Sequence, residues 1–177
     1  MKHGPPPAPS LTGSHSTACR VKGSPRNTAT MSRLSQANGD DHPDAAGKHL
    51  DDAVTLLTAG RNDGAAYLAG YVVECSLKSL ILFEHGHAVW SGRGGHDLNA
   101  LSAEALRLAS LPGARTAKYV SFGTPGHSLY TQPGGWTHHL RYRPPGTIPP
   151  ATAADWLAEA TQAFSSIVVA MRLDGVL

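Results

Sequence analysis

The amino-acid sequence predicts an all-α protein, a bundle of four to five helices behind a disordered N-terminal tail. Three observations carry this. Several segments place apolar residues near i, i+3, i+4 and i+7, the period of a helix with one buried face. The stretch Gly64–Ile81 is apolar on nearly every side, as in a helix sunk into a core. No convincing strand run and no internal repeat accompany them. At 177 residues there is room for one ordinary domain.

Residues 1–43 are expected to be the tail. Twenty of these 43 are Ser, Thr, Pro or Gly, and large apolar residues are few. Such a segment buries too little surface to offset its ordering entropy. Met31 offers an internal start, with the residues before it then an extension; the other reading is a functional basic arm. The bundle is expected over residues 44–177. Its first helix is predicted from Asp44 to Ala59, on Ala46, Leu50, Ala53, Val54 and Leu57, with Gly60 as its stop. Asp63 is read as the N-cap of the core helix and Gly86 as the glycine that ends it. The short connection predicts an antiparallel hairpin of these two helices.

A loop containing Trp90 leads to a third helix from about His96-Asp97-Leu98 to Leu111, which Pro112-Gly113 ends. A short helix fits Ala114–Phe122. Gly123–Pro150 holds five Gly and six Pro, and an irregular stretch of that length inside a domain is usually functional or mobile. The last helix is read as opening at Thr152 to Asp155, a capping-box-like pattern. Its buried face is Trp156, Ala160, Ala163, Phe164, Ile167, Val168 and Met171.

Charge and composition narrow the function. Residues 1–43 carry five Lys/Arg against two Asp, net +3, which leaves residues 44–177 at net −1. The domain is therefore not a strongly basic nucleic-acid binder. Its charge is nonetheless uneven. No acidic residue lies between Glu104 and Asp155, while Arg107, Arg115, Lys118, Arg141, Arg143, His127, His138 and His139 do. No apolar run spans a membrane and no secretory h-region opens the chain, so no membrane is expected. Cys19 sits in the tail and Cys75 in the core helix; no disulfide is expected, and a reducing cytoplasm fits.

Along the core helix, Tyr67, Tyr71, Glu74, Lys78 and His85 line up as one stripe. Glu74 before Lys78 is the favourable i,i+4 order, worth roughly 0.3–0.5 kcal/mol on an exposed helix. The alternative is a groove or subunit interface, with Tyr71, Glu74 and Lys78 as ligand-binding residues. Glu74, set among apolar neighbours, is expected to be at least partly buried and paired with Lys78, Arg141 or Arg143. Gly70 mid-helix costs about 1 kcal/mol relative to Ala, which predicts close approach of a neighbouring helix. His96-Asp97 reads either as a cap beside a packed imidazole or as an acid/base pair. Trp136-Thr-His-His-Leu-Arg-Tyr-Arg143 sets two arginines and two histidines beside two aromatics. Guanidinium forks suit phosphates and aromatic faces stack on bases, so Trp136, Arg141, Tyr142 and Arg143 are candidate ligand-binding residues. The equal alternative is a loop latched onto the helices through Trp136 and Tyr142, with an arginine on Glu74. His85-x-His87 and His138-His139 lack zinc spacing, so no metal is expected. No nucleophile elbow, Walker A or dinucleotide glycine motif occurs, so no cofactor is expected.

The segment Tyr67–Lys78, with Gly95-His-Asp-Leu98, the later Leu140-Arg-Tyr-Arg-Pro144 and the closing helix, resembles HEPN domains (higher-eukaryote and prokaryote nucleotide-binding) over about Asp44 to Leu177. The resemblance implies a helical bundle that is commonly a homodimer. Members act as metal-independent ribonucleases in toxin–antitoxin and defence systems, partner nucleotidyltransferases, or serve as non-catalytic binding modules. Nuclease members carry Arg, four to six residues, then His. Here Arg93 precedes His96 by two residues, Arg33 precedes His42 by eight, and Arg141 and Arg143 follow His138 and His139. The expected function is therefore a binding or partner module of a prokaryotic nucleotide- or RNA-directed system, with RNA or a nucleotide as ligand and a nucleotidyltransferase or other operon product as partner. The first alternative is a metal-independent endoribonuclease with His96, His138, His139 and Arg141 as catalytic residues. The second is a purely oligomerising scaffold.

Overall fold

A computed structural model describes residues 1, 4, 31–88, 95–120, 127–131 and 134–177. The chain divides into two compact units, Met1–Thr30 and Met31–Leu177, and among the described residues every helix belongs to the second. Of the tail expected over residues 1–43, residues 2–3 and 5–30 lie outside the described residues, as do residues 89–94 of the Trp90 loop. Among the described residues all regular structure is helical and no strand occurs.

The compact unit starts at Met31, ahead of the boundary expected at residue 44. Leu34 packs against the core, and Arg33 donates to the Gly175 carbonyl at 2.9 Å. Ser32 donates to Asp41 from its amide at 2.7 Å and from its hydroxyl at 2.8 Å. Asp41 in turn accepts from the Asp44 amide at 3.2 Å and caps α1 (His42–Thr58), with Pro43 in the first turn. Ser, Asp and Pro make a segment look like a tail, yet helix starts use the same residue types.

Gly60, at φ 71°, turns the chain back within three residues, and the Arg61 amide donates to the Leu56 carbonyl at 2.8 Å. The next helix, α2 (Asn62–His85), ends at Gly86, which takes φ 76° and donates to the Leu82 carbonyl at 2.7 Å. Asp63 is not its N-cap. It sits in the first turn, and its carboxylate accepts from the amides of Gly146 at 2.6 Å and Ile148 at 2.8 Å. A long-range demand from the later loop thus takes the side chain that local sequence assigns to the cap.

Helix α3 (Leu98–Ala109) is capped by Asp97, which accepts from the Ala100 amide at 3.1 Å. The short helix expected after it contracts to a single 3₁₀ turn, Ala117–Tyr119. Glu84 of α2 holds that segment, accepting from the Thr116 amide at 3.0 Å and hydroxyl at 2.9 Å. Within the Gly/Pro-rich stretch lie α4 (His127–Thr131) and a 3₁₀ turn, His138–Tyr142.

Helix α5 (Pro150–Phe164) runs through one π turn, Ser165–Val169, into α6 (Ala170–Leu173). It opens on Pro150 without a side-chain cap, and Thr152 and Asp155 already lie inside it, so the expected capping box does not form. Proline at the first position supplies a preset φ and has no N–H to satisfy, which starts the helix earlier.

Helix α2 is the centre of the bundle and packs against α1, α3 and α5. Its Ala65, Ala66, Ala69, Val72, Val73, Leu77, Leu80 and Ile81 are buried. Ala153, Ala160, Ala163, Ile167, Val168 and Met171 of the closing helix are buried too. Phe164, expected on the same face, is only partly buried. By length and composition α2 could cross a bilayer, but 78% of its most apolar window is buried within the fold, as in an ordinary core helix.

Candidate functional site

The site is built around the middle of α2. Gly70 and Trp136 fix the approach of the loop to this helix. A Cβ at position 70 would fall 1.9 Å from Cε2 of the Trp136 indole, so no side chain larger than hydrogen fits. The indole Nε1 donates to the Tyr67 carbonyl at 2.9 Å, and its ring meets Tyr71 edge to face at 5.4 Å. The Trp136 amide donates to the Leu129 carbonyl at 2.8 Å. The close approach expected at Gly70 is thus real, but the neighbour is an indole from a loop and not a helix. At 3% exposure Trp136 is part of the packing, with no face left open for a base.

One turn further on, Glu74 is buried at 3% exposure and Lys78 at 5%. The Lys78 ammonium lies 2.8 Å from Oε1 of Glu74. Nδ1 of His96 lies 3.1 Å from Oε1 and 3.0 Å from Oε2 of the same carboxylate. Glu74 is therefore paired with Lys78, as one expectation held, and with a histidine that sequence spacing did not suggest. Among the described residues it forms no ion pair with Arg141 or Arg143. Asp97 turns away as the α3 cap, so His96 and Asp97 do not form an acid/base pair.

This geometry gives His96 a defined polarity. Opposite a carboxylate, Nδ1 is the donor, which leaves Nε2 on the far side of the ring to accept or carry a proton. The His96 side chain remains 41% exposed, so that nitrogen is reachable. The His138 ring centroid is 5.3 Å from His96, and His139 is 4.0 Å from His138. Partial burial, then the charges of His139, His96 and Arg141, hold His138 below the ordinary histidine range, which favours the neutral ring at neutral pH. Burial does the same to His42 and His49 of α1, which flank the site from the other side of α2. The His49 ring lies 5.6 Å from Tyr71, and the Tyr71 hydroxyl lies 3.0 Å from that of Tyr67. Burial first, and the Tyr67 hydroxyl next, push the Tyr71 phenol upward.

The stripe read along α2 breaks before its end. His85 belongs to a separate cluster, 3.2 Å from Glu104, which Arg107 grips through two nitrogens at 2.7 and 2.8 Å. The Arg107 hydrogen bond draws the Glu104 carboxyl down to about 2. Cys75 is buried beside Glu74, and burial pushes its thiol up to about 12, so it is an inert core residue.

A cleft of about 920 Å³ opens in front of these groups. Its walls include His96, His138, His139, Arg143, Tyr130 and Trp156. Arg141 and Tyr142 are not among its lining residues; the Arg141 guanidinium lies 5.4 Å over the Tyr142 ring, and its Nε donates to the His138 carbonyl at 2.9 Å. Tyr142 is 74% exposed, so it does not latch the loop; its face is open to a ligand. A smaller groove of about 410 Å³, lined by Arg61, Asp63, Arg141 and Arg143, shares a wall with the cleft. The fold thus gathers Tyr71, Glu74, Lys78, His96, Trp136, His138, His139 and Arg141–Arg143 within one region. Sequence reasoning missed His42 and His49 of α1, whose local pattern shows only packing, and Arg61, which lines the smaller groove from the turn before α2. Among the described residues no group of three or more His, Cys, Asp or Glu side chains could hold a metal ion.

No family model, no curated protein and no solved structure matches this chain.

Proposed function

We propose that this chain is a HEPN-like binding module that holds a phosphate-bearing ligand, a nucleotide or RNA, in the cleft between α3 and the 138–143 turn. One observation carries the reading. The described walls of the cleft include His96, His138, His139 and Arg143 but a single carboxylate, Asp97, which is engaged as a helix cap. A wall of imidazoles and guanidinium without free carboxylates favours an anion. Exposed Tyr142, with Arg141 above it, supplies a stacking face next to Arg143. The module acts in the cytoplasm, as a homodimer, beside a nucleotidyltransferase or another product of a toxin–antitoxin or defence operon. Binding of labelled RNA and of nucleotides, with and without Arg141→Ala/Arg143→Ala, tests it. Equal binding by the double variant removes the reading.

A second reading is favoured by the hydrogen bond between His96 and buried Glu74. A carboxylate that fixes the imidazole tautomer prepares Nε2 as a general base, and neutral His138, its ring 5.3 Å from that of His96, stands close enough to share proton transfer. In that reading the module cleaves RNA without metal, and Arg141 clamps the phosphate. Cleavage in EDTA that disappears in His96→Ala supports it; a wild-type protein inert toward RNA removes it.

A further inference from the structure

We propose that the smaller groove beside the cleft is a polyphosphate subsite, so that the favoured ligand is a nucleoside 5′-triphosphate; this rests on the ligand being a nucleotide. Three guanidinium side chains from distant parts of the chain meet there. Arg61 stands at the head of α2, and Arg141 and Arg143 come from the 3₁₀ turn and its end. All three are exposed, and among the described residues none forms an ion pair. An ordinary surface would scatter such charges or match them with carboxylates. Asp63 is the one carboxylate on the groove wall, and its two oxygens are taken by the amides of Gly146 and Ile148. Among the described residues it forms no ion pair with Arg61, Arg141 or Arg143.

The two cavities are neighbours along one wall. Leu140, Arg143, Thr147 and Ile148 line both. A base and sugar lying against the imidazoles of the larger cleft would send a 5′-phosphate past Arg143 and a longer phosphate chain on toward Arg141 and Arg61. A single phosphate needs one guanidinium fork; three forks in series suit successive phosphates. The volume of about 410 Å³ admits a chain of phosphates.

Calorimetric titration of the full chain at low salt with AMP, ADP, ATP, GTP and inorganic tripolyphosphate tests this. Affinity is expected to rise about tenfold or more from AMP to ATP. Tripolyphosphate alone should bind and compete with ATP. Arg61→Ala should abolish the gain from added phosphates and leave AMP binding within about twofold, with Arg61→Lys keeping part of the gain. Arg61 is exposed, so an unchanged helical signal by circular dichroism will show that the variant folds. Equal affinity for AMP and ATP, or equal weakening of both by Arg61→Ala, overturns the subsite while leaving the binding module intact. Binding of RNA but of no free nucleotide overturns the subsite alone. If neither nucleotides nor RNA bind, both the subsite and the reading beneath it fall.

Discussion

Gly70 of α2 lies directly beneath the indole of Trp136, at a distance that no Cβ could share. This contact decides where the Arg/His turn sits relative to Glu74. It also inverts an ordinary rule. In an isolated helix Gly→Ala gains about 1 kcal/mol. Here Gly70→Ala must displace a buried indole and break its bond to the Tyr67 carbonyl, a loss on the order of 2 kcal/mol or more. Urea unfolding should show the loss, and tryptophan emission should shift to the red. A variant as stable as the parent would contradict the contact.

Glu74 carries two partners in a buried setting, so truncating it takes the carboxylate from both Lys78 and His96. Glu74→Ala should cost roughly 3–5 kcal/mol, the usual penalty for breaking a buried pair. For a unit of this size that lowers the melting temperature on the order of 10 °C. Glu74→Gln, which can still accept from Lys78, should lose less. A change under about one degree would mean that the pair is solvated and the charge is not needed.

Stability should fall as pH drops below about 6.5. Burial depresses the pKa of His42 and His49 below the 6.5 of the unfolded chain. The unfolded state therefore takes up protons first as pH falls. The contribution of the neutral rings is complete above about pH 6.5 and is lost as pH drops toward their folded values. The lowered carboxylates Asp63, Glu84, Glu104 and Asp174 act in the same direction in a lower window, below about 4.5. Melting temperatures from pH 8 to 4 should show a first decline that His42→Gln/His49→Gln flattens. A flat profile above pH 5 in the parent would contradict it.

Much of this arrangement was legible in the sequence. Helical periodicity placed α1, α2, α3 and the closing helix, because an apolar face must be buried and its spacing records which face. An apolar stretch interrupted by Glu74 and Lys78 pointed to a buried pair. What sequence could not give were partners set by the tertiary path. His96 is the second partner of Glu74 because the loop between α2 and α3 returns it there. Asp63 leaves its expected cap to hold residues 146–148. Trp136 and Tyr142 each read as a stacking face or as a latch; Trp136 is consumed by Gly70, while Tyr142 stands in solvent. Residue type announced that these side chains would matter, and long-range packing assigned what each does.

The Glu74–His96 hydrogen bond gives the hydrolytic reading its own outcome. If His96 is a general base, RNA cleavage in EDTA should fall about 100-fold or more in His96→Ala, within the range such groups supply. Glu74→Gln should lower the rate through His96 and shift the pH–rate profile, while RNA affinity stays within about twofold. Cleavage unaffected by His96→Ala would assign the activity elsewhere.

The central claim is that the cleft beside Arg141 and Arg143 binds phosphate. It is tested most directly by measuring RNA and nucleotide affinity against salt concentration for the parent and for Arg141→Ala/Arg143→Ala. Neutralising phosphates releases counterions, so binding by the parent should weaken steadily as salt rises. The double variant should bind more weakly at low salt, with a shallower salt dependence and an unchanged helical signal. Equal affinity and equal slope for the two proteins, or no binding by the parent even at the lowest salt, would contradict the account.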